Sequence, residues 1–203
     1  MRIFTGLLIS ILLVACAAES APTATTALEE PEPTAVPAAT ATEEEEPAME
    51  ELDFKLTSSA YLQGDPIPAS YSCDGENTSP RLTWTNPPEG TQSFALIFDD
   101  PDAPGGTWVH WVLFNLPAEA RSLPANVPPD PTLANGEVHG SNSWGSIGYG
   151  GPCPPDGEHR YFFKLYALDI LLEPEEGATK EQLLEAMEGH IVAETELMGT
   201  YSR

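Results

Sequence analysis

The stretch Phe98–Trp111 reads FDDPDAPGGTWVHW and separates two apolar segments of the chain. Before it, the apolar run Phe94–Phe98 is typical of a β-strand that is covered on both faces. Prolines and glycines then interrupt the chain, and the next strand is predicted to begin at Trp108. An ordinary turn needs only one Asp-Pro or one glycine. This turn carries three aspartates and is followed by a histidine between tryptophans, so the sequence predicts a functional site where the two strands meet.

Short strands with prolines and glycines between them continue on both sides of this turn. The predicted strands are 54–57, 81–84, 94–98, 108–116 and 159–168, with a final strand in 191–197 whose alternate glutamates, Glu194 and Glu196, face water. This arrangement favours a mostly β, antiparallel β-sandwich over a fold of alternating β and α units. One or two short helices are expected in addition.

One helix is predicted after Thr179. Thr179 and Gln182 have the spacing of a capping box, in which each side chain bonds to the backbone of the other residue. Leu183, Leu184 and Met187 then form an apolar stripe at helical spacing, and Leu183 and Met187 are predicted to lie in the core.

The first 15 residues are predicted to be a signal peptide, because Arg2 is followed by a short apolar run that is too short to span a bilayer. The run ends in Leu13-Val14-Ala15-Cys16, which resembles the lipobox of bacterial lipoproteins. Cys16 is therefore the predicted lipidation site, and the protein is predicted to be extracytoplasmic and anchored to a membrane. A plain secretory signal with an incidental cysteine is the alternative.

Residues 16–51 are predicted to be a disordered tether of alanine, threonine, proline and glutamate. The segment contains ten glutamates and no lysine or arginine, so it cannot bury enough apolar surface to offset its ordering entropy. Residues 52–203 form one domain of ordinary size. The formal net charge of the chain is −24, which argues against nucleic acid as a partner and against electrostatic attraction to an anionic bilayer.

Two histidines lie on predicted strands, and each is two residues away from a large aromatic residue. Side chains alternate along a strand, so Trp108 should share a face with His110, and His159 with Tyr161, whereas Trp108 and Trp111 should face opposite sides. If the two strands meet near Asp100, they form an aromatic pocket with two imidazoles that can donate hydrogen bonds to an anion. A histidine on its own is more often a satisfied core residue than a ligand contact. His139 and His190, which have no partner at a suitable spacing, are interpreted as structural or solvated.

Cys73 and Cys153 remain as an even pair once Cys16 is assigned to lipid. In an oxidising compartment they could form a disulfide, or they could be two separate buried thiols. The sequence leaves both interpretations open.

Several long motifs resemble those of the phosphatidylethanolamine-binding protein family, and most closely its bacterial Raf-kinase-inhibitor-like branch. They are Asp100-Pro101-Asp102-Ala103-Pro104, Trp108-Val109-His110-Trp111, the stretch 148–161 (GYGGPCPPDGEHRY), the stretch 73–80 (CDGENTSP) and the ending 199–203 (GTYSR). The resemblance implies an antiparallel β-sandwich with a pocket near the surface for phosphate-type head groups. The residues that it implies for the pocket are Asp100, Trp108, His110, His159 and Tyr161, with Pro104 and the loop Gly150–Pro155 at the mouth.

Three classes of function follow, and the resemblance favours a binding protein for a small anion or a phospholipid head group. The alternative is an inhibitor or regulator of a partner enzyme that acts through the pocket rim. An enzyme is not expected, since the chain has no Gly-x-Ser-x-Gly motif and no serine or cysteine obviously placed beside a histidine. A divalent metal on Asp100, Asp102, His110 and His159 is the least favoured hypothesis, because these residues lack the usual close ligand spacing. No cofactor is predicted.

Overall fold

The structure is a computed structural model, and it describes residues 53–203. The predicted signal peptide (1–15), the predicted tether (16–51) and Cys16 lie outside the described residues. None of the helices in the described part is long and apolar enough to cross a bilayer. The strands are β1 (Lys55–Ser58), β2 (Leu82–Thr85), β3 (Ser93–Asp100), β4 (Trp108–Pro117), β5 (Ser122–Leu123), β6 (Val138–His139), β7 (Glu158–Leu168) and β8 (Ile191–Ser202). The helices are α1 (Lys180–Met187) and one turn of 3-10 helix at Ala69–Tyr71.

The strands form two sheets. The smaller sheet has the order β1-β2-β5, and the larger has the order β6-β4-β3-β7-β8. Neighbouring strands pair antiparallel in both sheets. The predicted antiparallel β-sandwich with short helices is confirmed.

β3 is the central strand of the larger sheet, and all eight of its residues are buried. Phe94 and Phe98 lie in the core between the two sheets together with Trp84. Ala95 and Ile97 point the other way, into a second core beneath α1. Burying a phenylalanine side chain stabilises the fold by roughly 2–3 kcal/mol, so β3 fixes the position of whatever follows at its end.

The helix α1 begins with the predicted capping box. The Thr179 hydroxyl accepts from the Gln182 backbone N–H, and the Gln182 side chain accepts from the Thr179 N–H at 2.9 Å. Leu183 and Met187 are fully buried against the sheet, as predicted. Leu184, the third residue of the apolar stripe, is 37% exposed. An eight-residue helix on one face of a sheet buries a narrower stripe than the sequence pattern suggests.

Candidate functional site

The candidate site lies at one end of the larger sheet, where β3 ends and where β4 and β7 begin. Because β3 runs antiparallel to both neighbours, its last residue lies beside their first residues. Asp100 at the end of β3 pairs with Trp108 of β4, and its carboxylate contacts the imidazole of His159 on β7. The first residues of β4 and β7 therefore lie beside the Asp100 carboxylate.

A β-bulge in β4 sets the position of His110. Phe98 pairs with Trp111, whereas the next residue of β3, Asp99, pairs with Val109. His110 is thus one extra residue on β4 with no partner of its own in β3. The bulge interrupts the alternation of side chains at the point where the site begins.

The bulge places His110 and Trp111 on the same face of the sheet. The Phe98 and Tyr149 rings stack on each other at 5.6 Å in the core between the sheets. His110 contacts Phe98 at 5.4 Å between ring centroids, and Trp111 contacts Tyr149 at 5.7 Å. The expectation that Trp108 and Trp111 face opposite sides is therefore wrong, because one inserted residue shifts the pattern. Trp111 is fully buried, and Trp108 is 37% exposed.

Asp100 and His159 form a buried pair. Asp100 Oδ2 lies 2.7 Å from His159 Nδ1, and the two residues are 3% and 8% exposed. Asp100 Oδ1 accepts from the Asp102 N–H at 2.8 Å. With both oxygens engaged, the carboxylate is held in one orientation. Since the carboxylate only accepts, His159 Nδ1 carries the proton, and Nε2 is the ring nitrogen that remains for a ligand.

His110 is buried and neutral at neutral pH. Its Nδ1–H donates to the Gly150 carbonyl at 2.8 Å. Burial lowers the pKa of His110 below its usual value, and the bond to Gly150 and the negative charge of Asp100 oppose that shift only in part. In this tautomer Nε2 carries a lone pair, so it accepts a hydrogen bond instead of donating one.

Tyr161 lies between the two histidines. Its ring centroid is 5.3 Å from that of His110 and 6.4 Å from that of His159. Burial raises the pKa of Tyr161, and the nearby Asp100 charge raises it further, so the hydroxyl stays protonated. This buried hydroxyl lies near the Asp100 carboxylate and the Cys153 backbone, but among the described residues it forms no hydrogen bond of normal geometry. A buried donor without a partner is costly and is satisfied when a ligand or water supplies an acceptor.

Two tryptophans form the outer rim of the site. Trp144 is 50% exposed, and its ring stands edge-on to His110 at 5.0 Å and to Trp108 at 5.4 Å. Gly150 allows this packing, because a Cβ at that position would lie 2.5 Å from Trp144 Cζ3. Pro104, which the resemblance places at the mouth, is exposed in the turn between β3 and β4.

Hydrogen bonds attach the loop 143–150, which carries Trp144 and which we call the rim loop, to β4. Ser143 N–H donates to the Val109 carbonyl, and Val109 N–H donates to the Ser143 hydroxyl, each at 2.8 Å. Further along, Gly150 N–H donates to the His110 carbonyl at 3.0 Å. The loop therefore continues the edge of the sheet, and Trp144 projects from it at a defined place.

The loop 149–153 is also tied to the segment 71–77. A disulfide joins Cys73 and Cys153, whose Cα atoms are 5.5 Å apart. Gly151 N–H donates to the Asn77 side-chain oxygen at 2.7 Å. A Cβ on Gly151 would come within 2.2 Å of the Tyr71 carbonyl oxygen, so only glycine permits the two segments to lie this close.

Asp102 has a structural partner that the sequence analysis did not identify. Arg160 on β7 forms a two-pronged ion pair with it, with distances of 2.8 and 2.9 Å, and the Arg160 N–H adds a third bond at 3.0 Å. These contacts lower the pKa of Asp102 to about 2. Asp102 thus fastens the turn to β7, while Asp100 faces the site.

Asp99 was also missed, and it forms a buried ion cluster on the opposite face of β3. Its carboxylate is fully buried and contacts Lys180 at the start of α1. Asp99 Oδ1 also lies 3.3 Å from Lys164 Nζ on β7. A single aspartate thus pairs with two lysines, which are 65 and 81 residues away in sequence. Nothing local in the sequence signals these long-range contacts.

The two remaining histidines lie outside the site. His139 is buried and donates from Nδ1 to the Asp130 carbonyl at 2.7 Å, and burial lowers its pKa. His190 is half-buried and pairs with Asp169 at 2.8 Å. Within residues 53–203, no three histidine, cysteine, aspartate or glutamate side chains come together in an arrangement that could hold a metal ion.

Comparison with known proteins agrees with this architecture. The family model described as phosphatidylethanolamine-binding protein matches residues 57–202. A UPF0098 protein of Methanothermobacter thermautotrophicus is 53% identical over 150 residues, which cover 74% of this chain and 99% of the relative. A UPF0098 protein of Chlamydia muridarum is 49% identical over 159 residues, with the same coverage of both chains.

Two solved structures have the same fold. The crystal structure of CT736 from Chlamydia trachomatis, described as a phosphatidylethanolamine-binding protein homologue, is 47% identical with a TM-score of 0.69 and covers 74% of this chain and 97% of that one. The crystal structure of YbcL from E. coli, described as a new member of the mammalian family, is 37% identical with a TM-score of 0.70 and covers 75% and 99%.

Proposed function

This chain belongs to the phosphatidylethanolamine-binding protein family, and on that premise we propose that it is a membrane-anchored, extracytoplasmic binding protein for small phosphate-type anions. The anion can be free or part of a phospholipid head group. The observation that carries the proposal is the convergence of His110, His159 and Tyr161 around the Asp100 carboxylate, with a buried phenol left without a partner.

Each of the three side chains offers a different contact to a phosphate. An imidazolium at His159 keeps its bond to Asp100 through Nδ1 and donates from Nε2, while Asp100 compensates its charge. The Tyr161 hydroxyl donates to a second phosphate oxygen. Neutral His110 accepts at Nε2, so it matches an oxygen that carries a proton. The set therefore suits a protonated phosphate or phosphate monoester.

Anion binding in such a site is coupled to proton uptake. Burial lowers the pKa of His110. A bound anion would raise this pKa again in part, because its negative charge favours the protonated imidazole. A proton on His110 or on the phosphate is then part of the complex. We expect the affinity for phosphate to fall as the pH rises from 6 to 8.

The direct test is an NMR titration of the full-length protein in detergent with inorganic phosphate, following the histidine ring signals. We expect saturable shifts at His110 and His159, and their loss in His110→Ala. His190→Ala is the matched control, because that histidine pairs with a surface aspartate outside the site, and it should bind like the wild type. Unchanged His110 and His159 signals in a folded protein would rule out the anion pocket.

A second candidate function is inhibition of a partner enzyme through the rim. The exposed indoles of Trp108 and Trp144 favour it, because aromatic side chains dominate many protein interfaces. A screen for bound proteins with wild type and Trp108→Ala separates the two functions. A partner that is lost with Trp108→Ala, in a protein that binds no phosphate, would favour the inhibitor.

The anchoring part of the proposal rests on the sequence around Cys16. The acidic domain gains nothing from an anionic bilayer, so a lipid would have to supply the attachment. Intact mass and cell fractionation test it. We expect a mature protein that begins at a lipidated Cys16 and lies in the membrane fraction, and a Cys16→Ser protein that does not. An unmodified Cys16 would refute the lipid anchor and would leave the proposal of an anion pocket unaffected.

A further inference from the structure

A cavity, which we call the side cleft, adjoins the candidate site. It has a volume of about 300 Å³. Its lining residues are Cys73, Asn77, Asn142, Trp144, Ser146, Tyr149, Gly150, Gly151 and Cys153. Two of them also border the candidate site, since the Gly150 carbonyl binds His110 and the Trp144 ring contacts the same imidazole. A phosphate bound beside His110 would therefore lie next to the side cleft, which could hold the rest of the ligand.

Trp144 forms a rigid and exposed wall of the side cleft. Half of its surface is open to solvent. The ring is nevertheless fixed edge-on against His110 and Trp108, and it covers Gly150 too closely for any side chain there. An exposed indole that is held in place offers a flat apolar face on which a ring with outward C–H groups can stack.

The other side chains of the side cleft are polar and uncharged. Asn77 accepts from the Gly151 N–H through its oxygen, which leaves its NH2 group to donate. The Ser146 hydroxyl donates to Asn142 and keeps its lone pairs to accept. Asn142 is largely occupied by its own turn, because its oxygen accepts from Trp144 and Ser146. Such groups match hydroxyls, whereas an ammonium would find no carboxylate among the lining residues.

The side cleft is organised before any ligand arrives. The Cys73–Cys153 disulfide, the Gly151–Asn77 bond and a 2.7 Å bond from the Tyr149 hydroxyl to the Tyr71 carbonyl hold its two sides together. A preformed cleft loses little conformational entropy on binding, so modest contacts translate into affinity.

We propose that the side cleft is a subsite for a neutral, hydroxyl-rich ring, and that the preferred ligands are phosphate monoesters of ring polyols such as sugars. The phosphate lies in the candidate site, and the ring stacks on Trp144 with its hydroxyls toward Asn77 and Ser146. Trp144 is then a specificity-determining residue. The inference rests on the proposed anion pocket and adds the chemical class of the ligand.

The test is calorimetric titration of the full-length protein with inorganic phosphate, glucose 6-phosphate and phosphoethanolamine. From the energy of one stacked ring we expect glucose 6-phosphate to bind about tenfold more tightly than phosphate. Phosphoethanolamine should bind no more tightly than phosphate. In Trp144→Ala the ratio of the glucose 6-phosphate affinity to the phosphate affinity should fall to about one. Leu171→Ala, an exposed apolar residue away from the cleft lining, should keep the wild-type ratio.

The outcomes separate the two proposals. Absence of phosphate binding overturns the anion pocket and the subsite together. Phosphate binding with an affinity ratio of one in the wild type overturns the subsite alone. A ratio that Trp144→Ala leaves unchanged also overturns it, because the ring must then lie elsewhere. Tighter binding of phosphoethanolamine than of glucose 6-phosphate shows that the cleft takes an ammonium, which contradicts the proposal.

Discussion

Asp99 and Asp100 are neighbours at the end of β3, yet they lie in opposite kinds of environment. Asp99 points beneath α1, where Lys164 and Lys180 neutralise it within an apolar core. Asp100 points to the open end of the sheet, where its partner is His159 and where the Tyr161 hydroxyl has no partner among the described residues. One carboxylate is enclosed by permanent cations, and the other faces groups that can still bind something.

The difference shows how one strand can place adjacent residues in a structural ion pair and in the candidate site. Side chains alternate along β3, so consecutive aspartates face different cores. The enclosed side stabilises the position of the strand end and of α1. The open side keeps a buried donor and an exchangeable proton, which are the features of a binding site.

Asp99→Asn should have the largest effect on stability. The substitution leaves two lysines without their counter-charge, and breaking a buried ion pair typically costs about 3 kcal/mol. Urea unfolding should show a free energy of unfolding lower by about that amount. The control is Asp169→Asn, whose carboxylate is half-exposed beside His190, and it should change stability by less than about 0.5 kcal/mol. If Asp99→Asn unfolded at the same urea concentration as the wild type, the structural role assigned to Asp99 would be contradicted.

Asp100→Asn should separate binding from stability. An amide cannot compensate an imidazolium at His159, so we expect phosphate affinity to fall at least about tenfold. Stability should fall by only about 1 kcal/mol, because one hydrogen-bonded pair is weakened. Calorimetry and urea unfolding on one preparation measure both quantities. If Asp100→Asn unfolds as readily as Asp99→Asn, the two sides do not differ in the way described.

Stability should decrease between pH 7 and pH 5. Burial lowers the pKa values of His110 and His139 below the usual 6.5. The unfolded chain therefore takes up protons in this range that the folded chain refuses, and the free energy of unfolding falls as the pH falls through 6.5. His139→Gln should flatten this slope in urea unfolding at pH 7, 6 and 5. An unchanged slope in the variant would show that His139 accommodates a proton in the folded state.

Asp102→Asn should have the smallest effect. The pair with Arg160 lies at the surface, so its loss should cost less than about 1 kcal/mol at pH 7. Arg160 lowers the pKa of Asp102 from 3.8 to about 2. This contribution is present above pH 4 and is lost as the pH falls toward 2. Identical acid unfolding of wild type and Asp102→Asn in that window would show that the pair contributes nothing.

Much of the fold was predictable because it depends on short-range patterns. The run Phe94–Phe98 indicated a strand covered on both faces, and Thr179 with Gln182 indicated the start of α1. Both are properties of a few consecutive residues, and both are confirmed. The motif resemblance added Asp100 and His159 as predicted pocket residues, and the structure brings these two side chains together.

The rest depends on contacts that the local pattern does not contain. The bulge at His110 arises because β3 and β4 differ by one residue in their pairing, and alternation along one strand cannot reveal it. The partners of Asp99 come from β7 and α1, far away in sequence. Trp144 reaches the rim only because Gly150 leaves space beneath its ring.

The bridge between Cys73 and Cys153 makes the redox history of a sample a variable in every binding measurement. Both cysteines line the side cleft, so protein that is produced in a reducing cytoplasm, or stored with a thiol reagent, carries two free thiols in the wall. Hydrogen bonds and the packing of Tyr71 and Tyr149 against the core then hold the segments 71–77 and 149–153 together. Affinities from such a preparation describe a looser cleft, and weak binding there says little about the oxidised protein.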